Sequence, residues 1–231
     1  MDNVFYGWID TTWDALLVLE AARRGIVPRV TRRFHDIEKR NMIRSGAVIV
    51  FTEEESSVKR WTDPYLWSAS RMLGNFMIYR EREDSRDTKV APATLRSTLQ
   101  KPKERCEGLD PELERAIYGS WRRGKGLKKD GLMKKTFSLV VDGATYHLIS
   151  YYNPTDVVSG TLRTPSTMPH IANLPIGPEF TADHSQFRLP PTDLKRPETI
   201  PSPKVTLQYH RLIPPSRQLG LELPVLPLKL L

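Results

Sequence analysis

The chain has 231 residues, of which 39% are hydrophobic and 27% are charged, so it can form one sizeable domain with a buried core. Its apolar runs are too short to span a bilayer, and its single cysteine, Cys106, excludes an internal disulfide and a multi-thiolate metal site. Because 35 basic residues face 27 acidic ones, giving a formal net charge of +8, the expected bulk partner is a polyanion such as nucleic acid.

A first ordered segment is predicted over residues 3–82. Its β-branched and aromatic residues 4–9 indicate a short strand, and Thr12 can cap the helix that follows, which ends before Gly25. The next predicted elements, in chain order, are a short helix over residues 37–43, a buried strand over 47–51, a polar loop over 56–63, a helix around 67–73 and a strand over 76–79.

A second ordered segment is predicted over residues 111–165, after a charged linker that covers residues 83–110. Two alternating apolar stretches flank Asp142-Gly143, and a two-residue Asp-Gly loop is typical of the type I′ turn that joins paired strands. The stretches 136–141 and 144–152 therefore predict a β-hairpin. After it, Asn153 or Thr155 can cap a short helix.

Proline is concentrated at the end of the chain, where residues 166–231 hold 12 of the 19 prolines. Each proline removes an amide donor and fixes φ, so this segment is interpreted as a mostly disordered tail. Neither ordered segment has enough strands for a stable sheet of its own. We therefore predict one α+β domain over residues 1–165, in which both segments build a single, mainly antiparallel sheet with flanking helices.

The sequence offers no pattern that is typical of catalysis or cofactor binding. Its five histidines are scattered without ligand spacing, and it contains neither a nucleophile elbow nor a phosphate-cradling glycine loop. Three consecutive glutamates, residues 53–55, are interpreted as a solvated strand end. We expect no enzymatic activity, no metal and no cofactor.

Positive charge is concentrated in two clusters. Residues 23–44 hold eight basic residues against two acidic ones, and residues 122–135 hold seven against one. Clusters of this size can neutralise several phosphates, which gives affinity with little discrimination among sequences. A solvated surface remains the alternative for each cluster alone.

Discrimination among sequences requires a residue that reaches base edges, and the loop over residues 56–64 is the candidate. Lys59 and Arg60 can form a rigid cationic apex, and an inserted arginine is favoured in the narrow, strongly negative minor groove of A/T-rich DNA. Trp61 is interpreted as the anchor of the loop to the core. Ser68 and Arg71, on the predicted helix that follows, are expected near the same phosphates.

These residues resemble the WOPR family of fungal DNA-binding transcription regulators. The resemblance covers most of both ordered segments in the family's order. In the first segment it lies in Tyr6-Gly7-Trp8-Ile9, Asp14-Ala15-Leu16-Leu17, Pro28-Arg29-Val30-Thr31-Arg32-Arg33, Ile43-Arg44-Ser45-Gly46, Lys59-Arg60-Trp61-Thr62-Asp63 and Trp67-Ser68-Ala69-Ser70-Arg71. In the second it lies in Leu132-Met133-Lys134-Lys135-Thr136, His147-Leu148-Ile149-Ser150-Tyr151-Tyr152 and Leu162-Arg163-Thr164-Pro165.

The resemblance implies a nuclear regulator of fungal development or morphological switching that binds specific sites in double-stranded DNA, with an A/T-rich site expected. It places Lys59 and Arg60 at base edges, Thr62 beside a phosphate, and the pairs Arg32-Arg33 and Lys134-Lys135 on the DNA backbone. The full set of predicted DNA-binding residues is Lys59, Arg60, Thr62, Asp63, Ser68, Arg71, Arg32, Arg33, Arg44, Lys134 and Lys135.

Lys59-Arg60-Trp61-Thr62 also resembles a site for a basophilic kinase of the protein kinase A type. A phosphate on Thr62 would then repel DNA.

Two other functions remain open at this point. One is an RNA-binding module that stacks bases on Trp121, Tyr151 and Tyr152; the other is a protein-interaction adaptor that acts through the proline-rich tail, including residues 219–231.

Overall fold

The computed structural model describes residues 4–83, 109–120 and 126–189, and these form one antiparallel sheet of six strands. The strands are β1 (Phe5–Tyr6), β2 (Ala47–Thr52), β3 (Arg71–Leu73), β4 (Phe76–Arg80), β5 (Met133–Val141) and β6 (Ala144–Tyr152). Their spatial order is β1-β2-β6-β5-β4-β3, so the β5–β6 hairpin lies between strands of the first segment. Both segments build one sheet, which confirms the predicted α+β fold.

Short helices flank this sheet. In the described residues they are α1 (Thr12–Arg23), α2 (Asp36–Met42), α3 (Glu53–Ser56), α4 (Pro111–Tyr118), α5 (Pro154–Val158) and α6 (Pro169–Ala172). α1 begins one residue earlier than predicted, because the side chain of Thr11 accepts a hydrogen bond from the Asp14 amide while the Asp14 carboxylate accepts one from the Thr11 amide. In the part of the chain that the structure describes, no helix is long and apolar enough to cross a membrane.

The Asp142-Gly143 turn closes the predicted hairpin. Both residues have positive φ, +50° and +80°, as the type I′ turn requires, and Val141 pairs directly with Ala144. Register runs without a bulge from this turn to the Met133–Tyr152 pair. The hairpin prediction is confirmed, and β5 begins three residues before the predicted strand.

The two faces of the sheet have separate hydrophobic cores. On the helical face, Val48 and Val50 of β2 pack with α1, which is buried almost all round. On the opposite face, which we call the loop face, Ile49 and Phe51 pack under α2 and the segment between α3 and β3. Because strand side chains alternate between faces, each buried strand serves both cores.

The helix predicted around residues 67–73 is wrong. Arg71–Leu73 is strand β3, and Leu73 pairs with Phe76 across a two-residue turn in which Gly74 has a φ of +57°. Trp67 forms an isolated antiparallel bridge with Glu81. Pairing with β4 satisfies the backbone of this segment, and the serines at 68 and 70 are weak helix formers.

The glutamates at 53–55 do not end a strand, as had been expected, but form most of the one-turn helix α3. The Thr52 side chain caps α3 by accepting from the Glu55 amide. Each glutamate then meets a different donor: Glu53 meets His147, Glu54 accepts from the Thr145 amide, and Glu55 pairs with Arg29. Because the helical turn directs the three carboxylates to different partners, their mutual repulsion is offset although they are consecutive in sequence.

The prediction of a mostly disordered tail from residue 166 is wrong for residues 166–189. In this segment Ile171, Phe180 and Phe187 are buried against the helical-face core. Prolines start two single-turn helical elements of this segment, at 169 and 178, and Pro165 starts another just before it, in positions where a missing amide costs nothing. Residues 190–231 and the predicted linker residues 84–108 lie outside the described residues.

Candidate nucleic-acid interface

The segment that we call the basic loop, residues 57–62, leaves the end of α3 on the loop face. Ser57 reverses the chain with a φ of +55°, and Val58 is buried in the core beneath it. Lys59 and Arg60 follow and are both exposed. The predicted arrangement, with two cations at the apex of a loop fixed from below, is therefore present in the structure.

Trp61 fixes the basic loop to the core. Its ring stacks on Phe51 at a centroid distance of 5.7 Å and meets Phe34 edge-on at 5.3 Å. Its indole N–H donates to the Tyr151 hydroxyl at 2.9 Å. These contacts confirm that Trp61 is an anchor for the loop.

A buried carboxylate, Asp63, organises the segment that follows Trp61. The Asp63 side chain is only 3% exposed and accepts four hydrogen bonds. The donors are the Trp67 indole N–H at 2.6 Å, the Tyr151 hydroxyl at 2.9 Å, the Lys134 ammonium at 3.0 Å and the Tyr65 amide at 3.2 Å. The prediction that Asp63 contacts DNA is therefore wrong, because its oxygens are occupied inside the protein.

Lys134 is the counter-ion of Asp63 and is 12% exposed. Its ammonium also lies 4.3 Å from the ring centroid of Trp67 and 4.9 Å from that of Tyr79. Burial lowers its pKa, and the Asp63 carboxylate opposes that shift. The predicted phosphate contact by Lys134 is wrong, since its ammonium is enclosed by one acid and two aromatic rings.

Lys135 points to the opposite, helical face, because neighbouring residues of a strand alternate. It is fully buried, donates to the Ile9 carbonyl oxygen at 2.7 Å and lies among the rings of Trp8, Phe76 and Tyr152. The predicted contact of Lys135 with the DNA backbone is wrong, because its buried ammonium cannot reach a phosphate. Burial lowers the pKa of Lys135 to about 8, although Asp10 and Asp14 act in the other direction.

The lowered pKa of Lys135 predicts a pH dependence of stability. Between pH 8 and about 10 the folded state has released this proton while the unfolded state still holds it, so the free energy of unfolding should rise with pH. The rise is at most about 1.4 kcal/mol per pH unit from this group. Urea denaturation of the wild-type protein and of Lys135→Met across this range measures the difference. If the free energy of unfolding depends on pH in the same way for both proteins, the lowered pKa is not that of Lys135.

The predicted arginines Arg32, Arg33 and Arg44 are exposed, and each has a different contact. Arg33 donates to the Arg60 carbonyl oxygen at 3.4 Å, which joins the segment before α2 to the loop. Arg32 forms a bidentate pair with Glu38, and that hydrogen bonding, with help from the His35 amide, lowers the pKa of Glu38 to about 2. Arg44 stacks on the Tyr6 ring at 4.8 Å. The structure thus brings Arg33 nearest to the loop and leaves Arg32 with an internal partner.

Thr62 is exposed and follows the anchor Trp61 directly. Ser68 and Arg71 do not sit on a helix, so no helix N-terminus favours phosphate there. The Ser68 hydroxyl accepts from the Arg80 amide and donates to the Ala69 carbonyl oxygen, while Arg71 opens strand β3 on the exposed edge.

Two of the three stacking residues expected for an RNA-binding module, Tyr151 and Tyr152, are not on the surface. Tyr151 and Tyr152 have no exposed area, and burial raises the pKa of both hydroxyls. Trp121 and the basic residues 122–125 lie outside the described residues.

Two features of this interface were missed from the sequence. The first is the buried, hydrogen-bonded role of Asp63. The sequence pattern that could have indicated it is a single acidic residue among the aromatic residues Trp61, Tyr65 and Trp67. A cavity of about 140 Å³ beside the basic loop was also missed, and Lys39 of α2 lines it. Lys39 had been counted in a basic cluster without a distinct role.

Comparison with known proteins decides the family. Residues 4–153 match the Gti1/Pac2 family, which is the family of the WOPR domain. The chain belongs to the Gti1/Pac2 family. The matched range contains all six strands, the basic loop and Asp63, so the resemblance expected from the sequence is confirmed.

The fungal proteins to which this chain is similar include transcription regulators. The chain is similar to the global transcription regulator sge1 of Gibberella fujikuroi, at 33% identity over 90% of this chain and 69% of that protein. The sge1 regulator of Fusarium oxysporum is 35% identical over 74% of this chain, which spans only 59% of that protein. Among solved structures, the WOPR domain of Wor1 from Candida albicans in complex with 13-bp double-stranded DNA matches 78% of this chain and 94% of that one. Its identity is 29% and its TM-score is 0.54.

Proposed function

We propose that this protein is a sequence-specific regulator of transcription that binds double-stranded DNA in the nucleus of a fungal cell and controls development or morphological switching. The observation that carries the proposal is the similarity of this Gti1/Pac2 domain to a WOPR domain solved with double-stranded DNA bound. The named relatives, which are transcription regulators, support the same function.

The geometry of the loop face supports a division of roles. Lys59 and Arg60 project from a loop that is fixed from below by Trp61, so they can enter a groove without first being ordered. An arginine gains most where the minor groove is narrow, which favours an A/T-rich site. The exposed Arg33, which contacts the loop backbone, and the exposed Arg44 are proposed to hold phosphates and to orient the domain.

Selection of bound sequences from a random DNA pool by the full-length protein tests the proposed function. An enriched motif with an A/T-rich core is the expected result, and competition with single-stranded RNA should not release the protein from it. No enrichment above a random pool, or preference for the RNA, would contradict the proposal.

A protein-interaction adaptor is the second candidate function. Residues 166–189 are anchored in the domain by Ile171, Phe180 and Phe187, so residues 190–231 are the part of the tail that can be removed without opening the core. Deleting residues 190–231 separates the two functions. DNA binding by the shortened chain should be unchanged if the Gti1/Pac2 domain carries it.

We also propose that Thr62 is a target of a basophilic kinase. The residue is exposed and follows Lys59-Arg60-Trp61, and a phosphate there would add a charge of about −1.5 to −2 beside the proposed groove contacts. Thr62→Glu should weaken DNA binding by at least about tenfold, with Thr62→Val weakening it less. Fluorescence anisotropy with one duplex measures both variants. The hypothesis is wrong if Thr62→Glu binds as tightly as the wild type.

A further inference from the structure

The cavity beside the basic loop has the composition of a site for a phosphate that carries an apolar group. Two cations, Arg33 and Lys39, and the Thr62 side chain line it, and the rest of the lining is Phe34, Val58 and Trp61. The N–H of Trp61 is already donated to Tyr151, so the indole contributes its carbon surface to the cavity. A bare anion would make no use of this apolar part, whereas a sugar ring would pack on it.

The volume of the cavity selects the size of the ligand. At about 140 Å³ it is well below the roughly 300–1,000 Å³ of pockets that enclose whole cofactors or drug-sized molecules. It corresponds to about five water molecules at roughly 30 Å³ each. One sugar-phosphate unit of a polymer, whose base lies outside, is of the appropriate size.

The cations that line the cavity are available to a ligand. The only ion pair of Lys39 in the described part of the chain is with Asp36, which is 85% exposed, and such pairs are weak because water screens them. The side chain of Lys39 itself is 19% exposed, so its ammonium can exchange Asp36 for a phosphate. Arg33 has five N–H donors and uses one of them in a long, 3.4 Å bond to the Arg60 carbonyl oxygen.

The position of the cavity connects it to the proposed base-reading residues. Thr62 and Trp61 of the cavity are the two residues that follow Arg60, and Arg33 contacts the Arg60 backbone directly. A backbone unit held in the cavity would therefore set the register at which Lys59 and Arg60 meet the bases.

From these observations we propose that the cavity holds one deoxyribose-phosphate unit of the bound DNA, with Lys39, Arg33 and Thr62 contacting the phosphate and Phe34 and Trp61 packing on the sugar. This proposal rests on the proposed DNA-binding function and adds Lys39 as a residue that fixes the register.

The test combines protein variants with DNA in which one phosphate at a time is replaced by a neutral methylphosphonate. Full-length wild type, Lys39→Gln and Arg40→Gln are titrated on the selected duplex and on its modified forms. Arg40 is the matched control, since it is an exposed cation on the same helix and does not line the cavity. Lys39→Gln should weaken binding by about five- to tenfold and reduce the salt slope by about one.

The deciding result is the coupling between the protein variant and one phosphate. One methylphosphonate position should weaken the wild type and Arg40→Gln alike but should weaken Lys39→Gln by a smaller factor, because only the contacts of Arg33 and Thr62 remain to be lost there. Thr62→Val should show coupling at the same position. If the wild type binds specifically but the losses from Lys39→Gln and from the methylphosphonate are additive at every phosphate, the cavity proposal is wrong. No specific binding by the wild type would instead overturn the proposed function.

Discussion

Asp63→Ala is expected to lower the free energy of unfolding by about 3–5 kcal/mol. The change removes the acceptor of four hydrogen bonds and leaves the Lys134 ammonium buried without its counter-ion. It also releases Trp67 and Tyr151, which hold the segment after the basic loop. Urea denaturation measures the loss, and specific DNA binding should fall with it.

Asp36→Ala is the control for Asp63→Ala, because Asp36 also pairs with a lysine but is 85% exposed. Its cost should not exceed about 1 kcal/mol. Adding Lys134→Met to Asp63→Ala should recover part of the lost stability, since the uncompensated buried charge disappears. If the double variant is less stable than Asp63→Ala by the full cost of Lys134→Met alone, the two residues are not coupled and the ion pair is unimportant.

Arg60→Ala is expected to reduce discrimination between the selected DNA site and a scrambled duplex by about 1–3 kcal/mol, or roughly 5- to 150-fold. Arg60 is exposed at the apex of a loop whose fold depends on its neighbours Val58 and Trp61, so the substitution should leave the domain folded. Binding to the two duplexes, measured at one salt concentration, gives the ratio directly.

Arg40→Ala removes the same charge from an exposed position on α2 that does not line the cavity beside the basic loop. It should weaken binding to both duplexes by a similar small factor and leave their ratio unchanged. If Arg60→Ala and Arg40→Ala reduce the ratio of affinities for the selected and scrambled duplexes equally, Arg60 acts only through its charge.

The elements that the sequence predicted well are those with a local cause. The Asp142-Gly143 turn requires two positive φ angles, and alternation beside it then sets both strands of the hairpin. The basic loop was predicted for a similar reason, because Trp61 must bury its ring while Lys59 and Arg60 remain in water.

The failures have a non-local cause. Lys134 and Lys135 belong to a basic run, and only the pairing of β5 between β6 and β4 shows that one lysine faces Asp63 and the other is buried beside Trp8. Residues 166–189 were predicted to be disordered from their prolines, yet a few anchors such as Phe180 bury enough apolar surface to order them. In both cases the partner is distant in sequence, so composition gives no signal.

The order of strands in the sheet has a consequence for how the chain folds as it leaves the ribosome. β2 and β4 are separated in space by the hairpin β5–β6, so the strands of the first segment do not touch across the centre of the sheet. Until residue 152 has been synthesised, the edge of β2 that pairs with β6 and the edge of β4 that pairs with β5 have no native neighbouring strand. The nascent first segment is therefore exposed to aggregation, and a truncation before the hairpin should require chaperones rather than yield a smaller stable domain.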